Sequence, residues 1–302
     1  MKKSYEAIII GAGPAGLTAG IYAARYKVDS LIIGKLHGGM AGEAYEIENF
    51  PTYEKITGMD FACRLINQVR KLGVEIKQDN VLEIKKKGKD FEVITDREKY
   101  GTKKIIITTG TERRKLNLAR EKEFTGLGIS YCATCDAPFY KDKIAGVVGG
   151  GNAALTAALL LSKYATKVYL IYRRDKFSKA EPAWVDEVNK NKKIEKIFNS
   201  EVTSLNGEEK LEEIEINSKR KIKIDGLFVE IGSEPNTEIA EKMKLEMEKN
   251  YVKVDKKQKT SIKGVFAAGD LTNNPLKQVI TACAEGAIAA HSAYEELNSG
   301  MQ

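Results

Sequence analysis

The chain has 302 residues, 42% of them hydrophobic and 30% charged, which suits about two domains with buried cores and excludes a disordered chain. Four cysteines are too few to staple a secreted scaffold of this length. The net charge of +7 comes from dispersed lysines, and the densest run, Lys85 to Lys89, stands beside Asp90 and Glu92; it reads as solvated surface with mild attraction for an acidic protein partner, not as a nucleic-acid footprint.

In chain order, Glu6 to Ile10 predicts a short apolar strand, and Gly11, Gly13 and Gly16 follow it. A helix pattern runs from there to about Tyr26, and Ser30 to Ile33 predicts a second strand. The uncharged stretch 7–24 has the length of an export signal or short membrane span. Four glycines and Pro14 interrupt it, so neither is expected, and the chain reads as cytoplasmic. A helix is expected at Met59 to Leu72, and a strand at Lys104 to Thr108. The strand–turn–helix–strand unit then recurs. Ile144 to Val148 precedes Gly149, Gly151 and Ala154, a helix runs to about Tyr164, and Lys167 to Tyr172 is the next strand. Further strands are expected at Gly226 to Ile231 and Val265 to Ala268, and helices at Thr237 to Met243 and Gln278 to Leu297. The last is rich in small residues, which suits either a bulky neighbour or close packing on a sheet.

Each repeated unit is a βαβ dinucleotide-binding signature and implies a parallel sheet. The first glycine permits the tight turn and the second lets the backbone approach a pyrophosphate. The third packs helix on strand, leaving helix N-terminal N–H groups for the phosphates. Pro14 suits the first helical turn, where its missing N–H costs nothing. The second copy's strand ends in Tyr172-Arg173-Arg174, where an NAD binder carries an acid. A pair of arginines there fits the 2′-phosphate of NADP; two solvated arginines at a strand end is the competing reading. The first copy's second strand ends at Ile33-Gly34, without the acid.

Cys132-Ala-Thr-Cys135 has a spacing that chance gives in only about 4% of such chains. The pair can form a redox disulfide whose thiolate gains if a helix starts there, or it can be half of a zinc site. The other candidate ligands, Cys63, Cys283, His37 and His291, are scattered without ligand spacing, which favours redox chemistry and no metal. Cys63 and Cys283 read as buried small apolar residues. No G-x-S-x-G or H-E-x-x-H motif competes.

Taken together, the ordered blocks Gly11 to Gly16, Glu46 to Pro51, Thr108 to Gly110, Cys132 to Asp136, Gly149 to Ala154, Arg173-Arg174, Pro235 to Thr237 and Gly264 to Asp270 resemble the low-molecular-weight flavoprotein thioredoxin reductases over essentially the full length. The resemblance implies an α/β fold with two Rossmann-like domains, the NADPH domain (113–234) inserted into a discontinuous FAD domain (1–112 and 235–302). It implies FAD on Gly11, Gly13, Pro14, Ala15, Gly16, Gly39, Met40, Asn49, Thr109, Gly110, Gly269, Asp270, Lys277, Gln278 and Val279, with Asp270 on the ribityl chain. NADPH would be held by Gly149, Gly151, Asn152, Ala153, Ala154, Arg173, Arg174 and Lys179.

The activity implied is NADPH-dependent reduction of thioredoxin, or of a thioredoxin-like or glutaredoxin-like protein, by a homodimer. Cys132 would be the attacking thiol, Cys135 the one meeting the flavin, and Asp136 the proton donor. One domain would rotate against the other so that nicotinamide and disulfide take turns at the flavin. Alternatives are the same chemistry with another acceptor, such as a peroxiredoxin system, or another donor, and a flavin or zinc redox sensor without turnover. Two positions depart from the family pattern. Ser178 stands where the family usually has a third arginine, with Lys179 beside it, and Met40 stands where a glutamine commonly follows the glycines.

Overall fold

The computed structural model describes residues 3–299; residues 1–2 and 300–302, the ends of the expected FAD segments, lie outside it. The chain forms two compact units, Met1–Gly42 with Ile47–Glu112 and Pro235–Gln302, and Arg113–Glu234 with Glu43–Glu46. The first unit begins with β1 (Ser4–Ile10), α1 (Pro14–Arg25), β2 (Ser30–Gly34), α2 (Gly58–Lys71), β3 (Glu75–Gln78), β4 (Val81–Lys87), β5 (Asp90–Thr95) and β6 (Lys99–Ile107). A short strand, β7 (Thr111–Arg113), leads into the second unit.

That unit holds α3 (Glu121–Phe124), β8 (Ile129–Ser130), α4 (Ala133–Asp136), β9 (Ile144–Val148), α5 (Asn152–Ser162), β10 (Lys167–Ile171), α6 (Pro182–Lys190) and β11 (Ile194–Ile197). A meander follows: β12 (Val202–Asn206), β13 (Glu213–Ile216) and β14 (Arg220–Lys223), then β15 (Gly226–Val229). The chain returns through β16 (Ser233–Pro235), which pairs with β7. The first unit is completed by α7 (Glu238–Lys242), β17 (Met247–Glu248), β18 (Tyr251–Val252), β19 (Val265–Ala267) and α8 (Val279–Asn298).

In the first unit the sheet order is β3-β2-β1-β6-β5-β4, with β19 also on β6. The strands β1, β2, β3, β6 and β19 are parallel, and β4 and β5 add an antiparallel hairpin. On its side away from β1, β6 serves two partners along its length: residues 99–102 pair with β5 and 105–107 with β19. The run Ile8-Ile9-Ile10 is buried on both faces, as a central parallel strand covered on both sides requires. The second unit carries an all-parallel sheet, β11-β10-β9-β15-β8, and the antiparallel β12-β13-β14 meander.

The small residues of α8 serve helix–helix packing. A Cβ on Gly286 would lie 2.0 Å from the Ala15 carbonyl oxygen, so α1 and α8 approach at backbone distance. Ala282, Ala289, Ala290 and Ala293 join Ala15, Leu17 and Ala19 in one core that also takes Ile9, Ile32 and Phe266 from the sheet. At the other end of α8, Glu296 accepts from Lys104 at 2.9 Å and Lys259 at 2.8 Å, which ties the helix to the sheet.

Two expectations need correction. The segment Glu43–Glu46 groups with the second unit, because Glu43 pairs with Arg113 at 2.8 Å and its carbonyl accepts from the Thr134 hydroxyl at 2.8 Å. The lysine run 85–89 forms the exposed end of the β4–β5 hairpin, solvated as expected. Cys63 is exposed on α2, and Cys283 is half-buried. Replacing Gly286 by Val should cost about 3 kcal/mol of unfolding free energy, the upper end for overpacking; urea titration of the purified protein checks it, and an unchanged midpoint would contradict the close α1–α8 approach.

Candidate active site

The first glycine turn is held by backbone contact. Gly11 has φ +116°, and a Cβ there would lie 2.1 Å from the Thr108 carbonyl oxygen; one on Gly16 would lie 1.9 Å from the Gly11 oxygen. The Thr108 hydroxyl donates towards the Ile10 and Gly11 carbonyls at 2.9 and 3.0 Å, fixing the turn against the end of β6. Gly16 is therefore a packing glycine beneath the turn. Gly13 is different: the nearest atom to its Cβ position is Gly39 Cα at 3.7 Å, so it leaves the backbone open to an approaching group.

Above this turn lies a cavity of about 600 Å³ contained in the first unit. Of the residues expected to hold FAD, Gly11, Gly13, Pro14, Ala15, Gly39, Met40, Thr109, Gly110, Gly269, Asp270, Lys277, Gln278 and Val279 line it. Asn49 does not; its side-chain amide donates to Gln278 Oε1 at 3.0 Å and so reaches the rim through Gln278. Thr109 donates to the Asn236 carbonyl at 2.7 Å. The missing acid at the end of β2 has a steric cause, since a Cβ on Gly34 would lie 2.7 Å from the Ala12 nitrogen. Asp79 and Glu238 line the cavity as well. Neither stands in a motif; Asp79 follows β3, whose Gln78 pairs with Gly34, and only the strand register places it there.

Two cavity residues carry opposed charges in a partly desolvated place. Burial pushes the Asp270 carboxyl above its ordinary range, and the nearby Lys277 ammonium only partly offsets this. Burial likewise lowers Lys277, against the attraction of Asp270 and Glu285. Lys277 donates to the Thr272 carbonyl and sits 4.7 Å from the centre of the Tyr251 ring. These are the features of a site for a polar, uncharged chain flanked by phosphates: open backbone at Gly13, a helix N-terminus at Pro14, and a buried acid at Asp270. The residues present fit FAD.

In the second unit, Gly149 has φ +144° and abuts the Glu230 carbonyl, while Gly150 lies against the Tyr172 ring. Gly151 has open space at its Cβ position, and α5 begins at Asn152 directly after it. Ala153 belongs to the first turn of α5, and Ala154 is buried against the core. The loop after β10 is stitched onto this turn. Gly151 bridges Lys179 in parallel register, and the Asn152 amide donates to Glu181 Oε1 at 2.9 Å and accepts from the Glu181 N–H at 2.7 Å. Arg173, Arg174, Ser178 and Lys179 are exposed. Arg174 donates to the Ser178 hydroxyl at 3.2 Å, so Ser178 engages one of the two arginines where a third cation was expected.

Cys132 and Cys135 form a disulfide with Cα atoms 5.3 Å apart, which settles the choice between redox pair and zinc half-site for the redox pair. Cys132 caps the single-turn α4, and the Cys135 N–H donates to Cys132 Sγ at 3.2 Å. The approach to the pair is fixed from both sides. Ser130 Oγ accepts from the Cys132 N–H at 3.0 Å. The Tyr131 hydroxyl donates to Glu121, a buried carboxylate that also accepts the N–H groups of Leu116 and Asn117, each at 2.7 Å. Burial, then Glu121, raises the Tyr131 phenol above its ordinary range. The N–H of Asp136 donates to the Cys132 carbonyl at 3.2 Å, and its carboxylate helps burial push Tyr140 up. Cys135 is exposed, Cys132 is half-buried, and Phe139, four residues on, is 71% exposed.

Comparison with known proteins agrees with this arrangement. The family profile described as pyridine nucleotide-disulphide oxidoreductase matches residues 5–286. A 34.2 kDa protein in the rubredoxin operon of Clostridium pasteurianum is 39% identical over 297 residues, 96% of each chain. A thioredoxin reductase of Listeria innocua is 35% identical over 312 aligned positions, covering all of this chain and 97% of that one. The crystal structure of Lactococcus lactis thioredoxin reductase superimposes with a TM-score of 0.93 at 32% identity, over 98% of this chain and 99% of that one.

Because their Cβ positions are unobstructed, Gly13→Ala and Gly151→Ala should each leave the stability of the apoprotein within about 0.5 kcal/mol. They should weaken FAD and NADPH respectively by at least about tenfold. Thermal melts and equilibrium binding of each nucleotide check this; unchanged affinities would show that neither turn carries a ligand.

Proposed function

We propose, from the premise that this chain belongs to the low-molecular-weight thioredoxin reductase family of pyridine nucleotide-disulphide oxidoreductases, that it passes two electrons from NADPH to the disulfide of thioredoxin or a similar small protein. The observation that carries the proposal is the bonded Cys132–Cys135 pair in the unit that bears the second glycine turn, followed four residues on by the exposed aromatic Phe139. FAD, held by the cavity residues of the first unit, supplies a two-electron link between nicotinamide and disulfide.

The remaining chemistry belongs to the chain. Reduction opens the Cys132–Cys135 bond to a dithiol. The Cys135 N–H and the first turn of α4 favour negative charge on Cys132 Sγ, as helix N-termini do for thiolates, so Cys132 is the attacking group. Its thiolate attacks one sulfur of the acceptor disulfide, forms a mixed disulfide and expels the other sulfur as a thiolate. Cys135 then attacks Cys132, the mixed disulfide breaks, and the internal bond reforms. The acceptor gains two electrons and two protons, and Asp136, half-buried beside the pair, is placed to hold a proton during the exchange. Phe139 gives the dithiol an apolar border of the kind that buries against a protein acceptor. A homodimer and a cytoplasmic location belong to the same proposal.

Arg173, Arg174 and Lys179 are the cations available for the 2′-phosphate. A charge-assisted hydrogen bond contributes about 1.5–3 kcal/mol, so Ser178 in place of a third arginine lowers NADPH affinity by about 10–100-fold, and Lys179 recovers part of it as a point charge. The same position favours a second reading, in which another donor feeds the same flavin and dithiol. Steady-state assays separate the two. NADPH oxidation should require oxidised thioredoxin, vanish in Cys132→Ser and exceed NADH oxidation in kcat/KM. Ser178→Arg should lower the NADPH KM by about tenfold with kcat unchanged. Equal kcat/KM for the two nucleotides, or turnover independent of thioredoxin, would overturn the assignment of donor or acceptor.

A further inference from the structure

Glu285 stands in the second turn of α8, 8% exposed and outside the cavity lining. Its carboxylate accepts the Gly269 N–H at 2.7 Å. The Thr272 hydroxyl, fully buried, lies 3.3 Å from the same carboxylate oxygen and 2.8 Å from the Gly269 carbonyl. The Thr272 N–H also donates to that carbonyl at 3.0 Å, and Asn274 donates to the Thr272 hydroxyl at 3.2 Å. The turn 269–272 is thus closed on itself and fastened from below by one acid. Gly269 adopts φ +88°, with Ala15 Cβ 3.0 Å from its Cβ position, so the turn has little room to settle elsewhere. Asp270, beside Gly269, is the side chain this turn presents to the cavity.

A buried carboxylate is costly unless its partners compensate for lost water. Here the short backbone contact belongs to another segment of the chain, 16 residues away, and to the residue directly before Asp270. An acid that served only α8 would need no such partner. We propose that Glu285 is a positioning residue: it holds the Gly269–Thr272 turn so that Asp270 meets the ligand of the cavity in one fixed orientation. The inference rests on the reading that this cavity holds FAD. It adds a residue that does not itself line the cavity and stands in none of the motif blocks.

The test is FAD binding by apoprotein prepared from the purified holoprotein, followed by quenching of flavin fluorescence, with cooperative melting as the check of folding. Glu285→Ala should weaken FAD by at least about tenfold, whereas Glu285→Gln, whose amide oxygen still accepts the Gly269 N–H, should stay within about threefold. If Glu285 acts through Asp270, the effects are coupled: in an Asp270→Ala background, Glu285→Ala should add less than about twofold. Should apo Glu285→Ala fail to melt cooperatively, Thr272→Val replaces it, removing only the hydroxyl; it should lose about threefold in the Asp270 protein and nothing in the Asp270→Ala protein. Full effects in both backgrounds, or wild-type affinity in Glu285→Ala, overturn the positioning role. Wild-type apoprotein that takes up no FAD overturns the functional reading itself, so the two failures are distinguishable.

Discussion

Everything in the first unit depends on backbone approaching backbone without side chains between. Gly11 lies against Thr108, Gly16 against Gly11, and Gly286 against Ala15. These contacts bring β1, β6, α1 and α8 to one place, and the cavity is the space left above them. A methyl group at any of the three would move a main-chain atom, not a flexible side-chain tip. Gly13 and Gly151 differ from these packed glycines: nothing lies nearer to the Gly13 Cβ position than Gly39 Cα at 3.7 Å, and nothing lies within 4 Å of that of Gly151, the openness that the second glycine of such a turn gives its backbone.

The second unit repeats the turn and adds what the first lacks, a pair of sulfurs. Its disulfide pair is supported by groups that stand outside the second glycine turn. Ser130 engages the Cys132 N–H, and Glu121 collects three backbone N–H groups together with the Tyr131 hydroxyl. Such a satisfied network fixes the peptide immediately before Cys132, while the pair itself stays accessible and Phe139 stands exposed. Rigid approach and open sulfurs together are what exchange with a second protein requires. Glu121 and Glu285 are both buried acids with backbone N–H partners, but Glu285 accepts directly from the residue before Asp270, whereas Glu121 reaches the residue before Cys132 only through the Tyr131 side chain.

Much of this was legible in the sequence because glycine turns, strand runs and the Cys-x-x-Cys spacing are local patterns. Both βαβ units and the helix after Gln278 follow from such patterns, whereas Gly269 and Asp270 were expected at the cavity only from the family resemblance. What escaped depends on contacts between distant segments. The β4–β5 hairpin hid behind a lysine run, although Phe91 and Val93 alternate with outward residues. The β12–β14 meander is short and interleaved with charges. Asp79 enters the cavity only through the pairing of β2 with β3, and Glu285 looks like one more residue of an alanine-rich helix until Gly269 is placed above it. Cys63 was misread because composition cannot tell which face of α2 it occupies; the helix turns it outward.

The central claim, a two-electron link from nucleotide to the Cys132–Cys135 bond, is tested most directly by anaerobic titration of the FAD-loaded protein with NADPH. The wild-type protein should take up four electrons per chain, bleaching its flavin absorbance and yielding two new titratable thiols. Cys135→Ser, which cannot form the bond, should take up two electrons and yield no new thiol. Wild-type protein that stops at two electrons with its disulfide intact, or that yields thiols equally well without flavin, would contradict it.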